Sequence, residues 1–240
     1  MKNSFILPHR ESRLELAKND SGHVIKAELH CHTVCSHDSS NRLPQLIETA
    51  RQRGINRLAI TDHNKIGCAL KAKEMDPELI VVGEEILTQS GELLAYFLKE
   101  EIPARLPVMQ VIERLKAQGA FIAVPHPFDI RRHGWGNEKL LKILPYVDSL
   151  EVFNARCLRK SLNSRCLHFA QQHHTLMQAG SDAHSLVELG LATVELPEFN
   201  NAEELREALK AGRINGSLLS PWDHFKASTQ IAFGKVNPFR

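Results

Sequence analysis

The 240-residue chain lacks several features that would place it quickly. It has no apolar run approaching the roughly 18 residues a membrane-spanning helix needs, and its first residues, with Lys2, His9, Arg10, Glu11 and Arg13, form no secretory hydrophobic segment. It has little charge of either sign in excess: a formal net charge of +2 and a pI near 8.3 do not demand a nucleic-acid groove or a membrane-surface patch. Cysteine is sparse. The five residues Cys31, Cys35, Cys68, Cys157 and Cys166 contain no Cys-x-x-Cys pair, and their odd number predicts reduced thiols in a cytoplasmic protein. There is neither a Gly-x-Ser-x-Gly elbow nor a glycine-rich phosphate loop, which argues against a serine nucleophile and a P-loop nucleotide site. The length suits one α/β domain over 1–240, with a core at about 24–215 between an N-terminal arm and a C-terminal tail containing Trp222 and Phe225.

What the chain does have is histidine, thirteen in all. The stretch Lys26-Ala27-Glu28-Leu29-His30-Cys31-His32 reads as the end of a strand, so His30 and His32, two apart, project to one side and can share a metal. Downstream, strand and helix alternate. A helix over Leu43–Arg51, with Pro44 near its start and Gly54 past its end, leads to the strand Arg57–Thr61 and then Asp62-His63. A short helix to about Glu74 is followed by the strand Leu79–Val82, with Glu84-Glu85 expected after its end. The apolar run Leu93–Leu98 reads as a hairpin partner across Gln89-Ser90-Gly91. A helix from Pro107 to Gly119 precedes the strand 120–124 and His126. The strand 149–153 ends in Asn154 and Arg156, a helix spans 158–173, the strand 175–179 delivers Asp182 and His184, and a strand (191–196) and a helix (202–209) complete the core.

Such alternation predicts a parallel sheet covered by helices, closed as a barrel or left open. In a parallel barrel the carboxyl ends of the strands share one rim, so residues over one hundred positions apart would meet in one cleft. A single histidine after a strand is more often a capping or surface group, but chance does not readily place His, Asp or Glu after nearly every strand. His9, His23, His133, His168, His173, His174 and His224 read as solvated or packed.

The motifs His30-x-His32, Asp38 in Ser36–Ser39, Thr61-Asp62-His63-Asn64, Gly83-Glu84-Glu85-Ile86, Pro125-His126-Pro127-Phe128 and Gly180-Ser181-Asp182-Ala183-His184 match in order those of the PHP (polymerase and histidinol phosphatase) superfamily, which the chain resembles over roughly residues 24–195. The resemblance implies a distorted seven-stranded βα barrel holding two or three divalent ions (Mn, Fe or Zn) on His30, His32, Asp38, His63, Glu85, His126, Asp182 and His184. Glu85 would be the bridge, and Glu85, Asp182 and His184 the catalytic centre. Where family members usually have a histidine on the next strand this chain has Glu92, a carboxylate that can ligate the same metals. Asp62 reads as an acceptor that orients an imidazole. Arg156, Arg132 (or Arg131) and Asn154 are candidates for substrate phosphate, Arg156 first because it follows its strand most closely. The implied activity is phosphate-ester hydrolysis by a metal-activated water. The substrate would be a small metabolite, a nucleotide or the end of a short oligonucleotide. Histidinol-phosphate phosphatase and a noncatalytic metal-binding module are the alternatives. A metal-dependent amidohydrolase also uses His-x-His at a barrel rim but commonly adds a lysine after a middle strand, absent here.

Overall fold

In the computed structural model, residues 5–6, 24–220, 222 and 229 are described. Most of the N-terminal arm, and Phe225 of the tail, lie outside them; Trp222 is helical and exposed. Among the described residues, ten strands form one hydrogen-bonded sheet in the order β1-β10-β9-β2-β3-β4-β5-β6-β7-β8. They are β1 (Phe5–Ile6), β2 (Val24–Cys31), β3 (Arg57–Ile60), β4 (Ile80–Leu87), β5 (Glu92–Tyr96), β6 (Phe121–Val124), β7 (Ser149–Asn154), β8 (Leu176–Gly180), β9 (Ala192–Pro197) and β10 (Arg213–Gly216). The sheet nearly closes into a barrel: beyond the end of β8, Ala183 bridges to Cys31, with His32 N–H donating to the Ala183 carbonyl at 2.9 Å. The expected count of seven is therefore corrected to ten strands, with β9, β10 and β1 continuing outward from β2.

The parallel-sheet expectation holds for β2-β3-β4 and β6-β7-β8; between them β5 lies antiparallel to β4, as the hairpin reading expects, and also to β6. Four residues link β4 to β5, too few for a crossover helix, so the strands must fold back as a hairpin. β9 pairs antiparallel with β2 and β10, although the sequence marked no reversal there. β4 also runs further than the apolar stretch predicts. Glu84 and Glu85 lie inside it, paired with Ala95 and Leu94, not after its end. Gly83 permits that course, since a Cβ there would stand 2.8 Å from the Ala95 carbonyl oxygen.

The helices α1 (Leu43–Gln52), α2 (Gly67–Met75), α3 (Val108–Ala117), α4 (Gly136–Ile143), α5 (Lys160–Gln172) and α6 (Ala202–Lys210) cover the sheet with apolar stripes: α1 buries Leu46 and Ala50, α3 Val111, Ile112 and Leu115. α6 begins at Asn201, whose side chain accepts the Glu204 N–H at 2.9 Å, a cap worth about 1 kcal/mol. Tyr96, Phe121 and Phe199 are the largest fully buried side chains of the core. One expectation about cysteine is overturned. Cys35, in the loop after β2, and Cys68, at the start of α2, have Cα atoms 6.1 Å apart and form a disulfide, whereas Cys31, Cys157 and Cys166 are free and buried.

Candidate metal centre

His30, His32, His63, Glu85, Glu92, His126, Asp182, His184 and Asp38 come together at one end of the barrel, where all but the fully buried His30 and His32 line a cleft of about 950 Å³. Glu85 is the hub. Its Oε1 faces His126 Nε2 at 3.1 Å and His30 Nε2 at 3.5 Å; its Oε2 faces His63 Nδ1 at 2.9 Å and His32 Nε2 at 3.4 Å. Asp182 Oδ1 lies 3.5 Å from His30 Nε2, 3.3 Å from His32 Nε2 and 3.5 Å from His184 Nδ1. Asp38 Oδ1 is 3.6 Å from His63 Nε2, and Oδ2 is 3.2 Å from His184 Nε2. Glu92 stands at the edge, 3.9 Å from His126 Nε2. His126 (φ 29°) and Asp182 (φ 55°) hold left-handed backbone that L side chains rarely adopt, at a cost of about 1–3 kcal/mol each, which places strain at the site.

These groups fit divalent ions. His30 and His32 are fully buried and their Nε2 atoms stand 3.1 Å apart. Each Nδ1 is already engaged: His30 by Glu151 Oε1 at 2.9 Å, His32 by Ser36 Oγ at 3.1 Å. Two ring nitrogens facing each other at that distance need a proton or a metal ion between them. His126 Nδ1 and Asp38 Oδ1 are buried and lack a hydrogen-bond partner among the described residues. A mixed set of imidazoles and carboxylates suits manganese, iron or zinc over calcium.

The electrostatics point the same way. Burial opposes charge on His30, but Asp182, Glu151 and Glu85 outweigh it and hold the imidazole well above its ordinary range. Burial, then His184, pushes its neighbour His32 down to about 3. Burial would raise Glu85, yet His30 and His63 keep it well below the usual carboxylate range; Asp182 is likewise held down by His30 against its burial. Glu92 is pushed up to about 9 by burial and by Glu85, which outweigh the opposing pull of His63 and His30.

The substrate candidates separate. Arg132 donates from Nη1 to Asp182 Oδ2, from Nε to Asp129 Oδ2 at 3.1 Å and from Nη2 to Asn154 Oδ1 at 3.2 Å, which puts it directly against the centre. Arg156, ranked first from sequence, also lines the cleft, but its Nε is held 3.2 Å from the buried Glu188. Asn154 does not face the cleft: it is fully buried, donating to Glu151 Oε2 (3.0 Å) and Asp182 Oδ2 (3.2 Å) while its Oδ1 accepts from Arg132 and the Arg156 N–H. The expectation of a substrate contact is corrected to a strut between β7 and the Asp182 loop.

Sequence reading missed Glu151, Ser36 and Glu188. The signal for Glu151 was there: an acid between Leu150 and Val152 in a strand buried at every position must find a partner. Asp62 does what was expected of it, through an intermediary: Ser36 Oγ donates to Asp62 Oδ1 at 2.6 Å while facing His32 Nδ1.

Comparison with known proteins agrees with this geometry. The PHP domain profile matches residues 28–120 and the PHP-associated profile residues 160–214. The chain is 37% identical over 180 residues to the uncharacterised protein MJ0417 of Methanocaldococcus jannaschii, covering 73% of this chain and 72% of that one. Among solved structures it resembles a two-domain protein of Bacteroides vulgatus containing a predicted PHP-like metal-dependent phosphoesterase (TM-score 0.68, 18% identity, 81% of this chain and 65% of that one). It also resembles the lesion-specific endonuclease PfuEndoQ of Pyrococcus furiosus (TM-score 0.62, 18% identity, 83% and 60%). The chain thus spans less than two thirds of either structure, and these likenesses speak to fold. With both profiles matched in order along the chain and the motifs and fold agreeing with them, the chain belongs to the PHP superfamily.

Proposed function

We propose that the protein is a metal-dependent phosphoesterase that hydrolyses phosphate monoesters of a small metabolite, a nucleotide or a short oligonucleotide end. The observation that carries this reading is Glu85, each of whose oxygens faces two imidazoles beneath an arginine-lined cleft. Divalent ions held by the histidines and by Glu85, Asp182 and Asp38 would supply the Lewis acidity that makes water nucleophilic near neutral pH and draws charge from the phosphoryl oxygens.

The chain's own residues do the rest. Arg105, Arg131 and Arg159 line the cleft without a side-chain ion-pair partner among the described residues, so their guanidinium groups are available to grip phosphate oxygens bidentately. Arg132, held on three sides, fixes Asp182 and offers positive charge beside it. Phe128, Leu158 and Leu162 give the cleft apolar wall for the alcohol portion. Water adds to phosphorus, the ester P–O bond breaks, and the departing alcohol takes up a proton, with no protein nucleophile required. A phosphate-release screen across sugar phosphates, histidinol phosphate, nucleotides and short RNA or DNA, run with added manganese, tests the reading. At least one monoester should turn over in a metal-dependent way. No release from any class after metal reconstitution would refute it in favour of a noncatalytic module.

A further inference from the structure

Glu151 and Ser36 touch no cleft, yet each ends on the inner nitrogen of a histidine, His30 on β2 and His32 just past its end. Glu151 is buried, on β7, and its carboxylate is saturated: Oε1 meets His30 Nδ1 at 2.9 Å, while Oε2 accepts the His126 N–H at 2.8 Å and the Asn154 amide at 3.0 Å. An ionised carboxylate only accepts, so the proton in the His30 contact belongs to Nδ1. Ser36 reaches the same result with a hydroxyl. Its single proton goes to Asp62 Oδ1 at 2.6 Å, and one lone pair takes the His63 N–H at 3.1 Å. The remaining lone pair can only accept, so His32 carries its proton on Nδ1 too. Asp62 is itself fixed by the Thr33 N–H and hydroxyl, both at 2.6 Å.

We propose that Glu151 and the Ser36–Asp62 pair are positioning residues which lock His30 and His32 in the Nδ1–H tautomer and so set the chain's affinity for divalent metal. With both inner nitrogens committed, Nε2 is left on each ring as the atom that meets an ion, and the two stand 3.1 Å apart. The packing leaves the pair no slack. A Cβ on Gly180, at the end of β8, would lie 2.3 Å from His30 Cβ and 2.6 Å from Glu151 Oε1, so this glycine is the space in which the His30–Glu151 contact fits. The proposal rests on the metal centre and is independent of which ester is hydrolysed.

Zinc alone is the probe, competed against a chromophoric chelator, with no substrate present. Glu151→Gln puts a donor where three donors converge, and Ser36→Ala leaves His32 Nδ1 without an acceptor. Each should weaken zinc binding by about 10–100-fold. Ser149→Ala is the structural control: it removes a buried 2.8 Å hydrogen bond to Gln178 two residues before Glu151 and touches no histidine. It should lower the melting temperature and leave zinc affinity within about twofold, by the same reasoning that separates packing from ligand orientation. Long-range proton–nitrogen spectra of the zinc-loaded wild type should show His30 and His32 protonated at Nδ1. Wild-type zinc affinity in both variants, an equal loss in Ser149→Ala, or Nε2–H tautomers in the spectra would each overturn the proposal. Should Glu151→Gln fail to fold, Ser36→Ala decides it through His32.

Discussion

Replacing Glu85 with glutamine keeps the side chain's shape and removes one negative charge and one of two accepting oxygens. In the wild type the oxygens lie 2.9–3.5 Å from four imidazole nitrogens, two on each oxygen, so whichever way the amide turns its NH₂ faces two nitrogens that an anion faced before. A unit charge about 3 Å from a unit positive charge, at an effective dielectric near 20, is worth about 5 kcal/mol. Relief of the buried carboxylate's desolvation returns part of that. If about half survives, metal affinity falls roughly 50–100-fold, at about 1.4 kcal/mol per factor of ten. Turnover should drop by more, because the water loses acidification as well. The assays are metal content after dialysis against a weak chelator, phosphate release, and circular dichroism to establish that the fold persists. Glu84→Gln is the internal control. Glu84 faces the other side of β4, accepts only the Ile102 N–H, and is pushed up to about 8 by burial, so a neutral amide imitates its state at pH 7. If Glu85→Gln keeps its metal load and activity, the bridging role is wrong; if Glu84→Gln is the dead variant, the register of β4 has been misread.

Glu84 also predicts a pH effect. Its carboxyl is raised from about 4.5 to about 8, so its stabilising contribution is complete below about 4.5 and is lost as pH climbs toward 8; chemical denaturation should show Glu84→Gln lacking up to about 1.4 kcal/mol per pH unit of that decline. Elemental analysis of protein purified without chelator should find at least two transition-metal ions per chain, because the candidate ligands exceed what one ion can use; one ion or none after reconstitution counts against the multinuclear reading. Arg156→Ala should retain its metals and raise KM for the phosphate ester, and should also lower the melting temperature by a few degrees, because the buried Glu188 loses its guanidinium partner; unchanged kinetics would confine Arg156 to supporting Glu188. Exhaustive chelation should abolish phosphate release, and manganese, iron or zinc should restore it; activity that survives chelation would exclude a metal-dependent reaction.

Much of the centre was legible because strand-end residues repeat a local pattern, an apolar run followed by His, Asp or Glu, and because the parallel topology gathers those ends on one rim. What escaped was whatever depends on contacts across the fold. Glu151 meets His30 121 positions away and looks, on its own strand, like an ordinary polar interruption. The 33-residue separation of Cys35 and Cys68 carries no spacing signal, since only the packing of α2 beneath the loop after β2 brings them together. Arg132 was ranked below Arg156 by distance from a strand end, a poor guide once the turn Ile130–Arg132 folds its guanidinium back onto Asp182. Strand direction was legible at β5, where a four-residue link forces a hairpin, and not at β9, whose longer connection leaves either direction open.

The position of Glu85 inside the β4–β5 hairpin gives the ion a part in folding as well as in chemistry. A slip of one residue in that pairing would turn Glu84 inward, carry Glu85 to the outer face and bring a side chain to the place where Gly83 leaves room for the Ala95 carbonyl. Only the correctly registered chain assembles the full set of donors, so metal binding draws the population toward it by mass action. An ion held there would therefore act as a proofreader of strand alignment, favouring the register that Gly83 already admits.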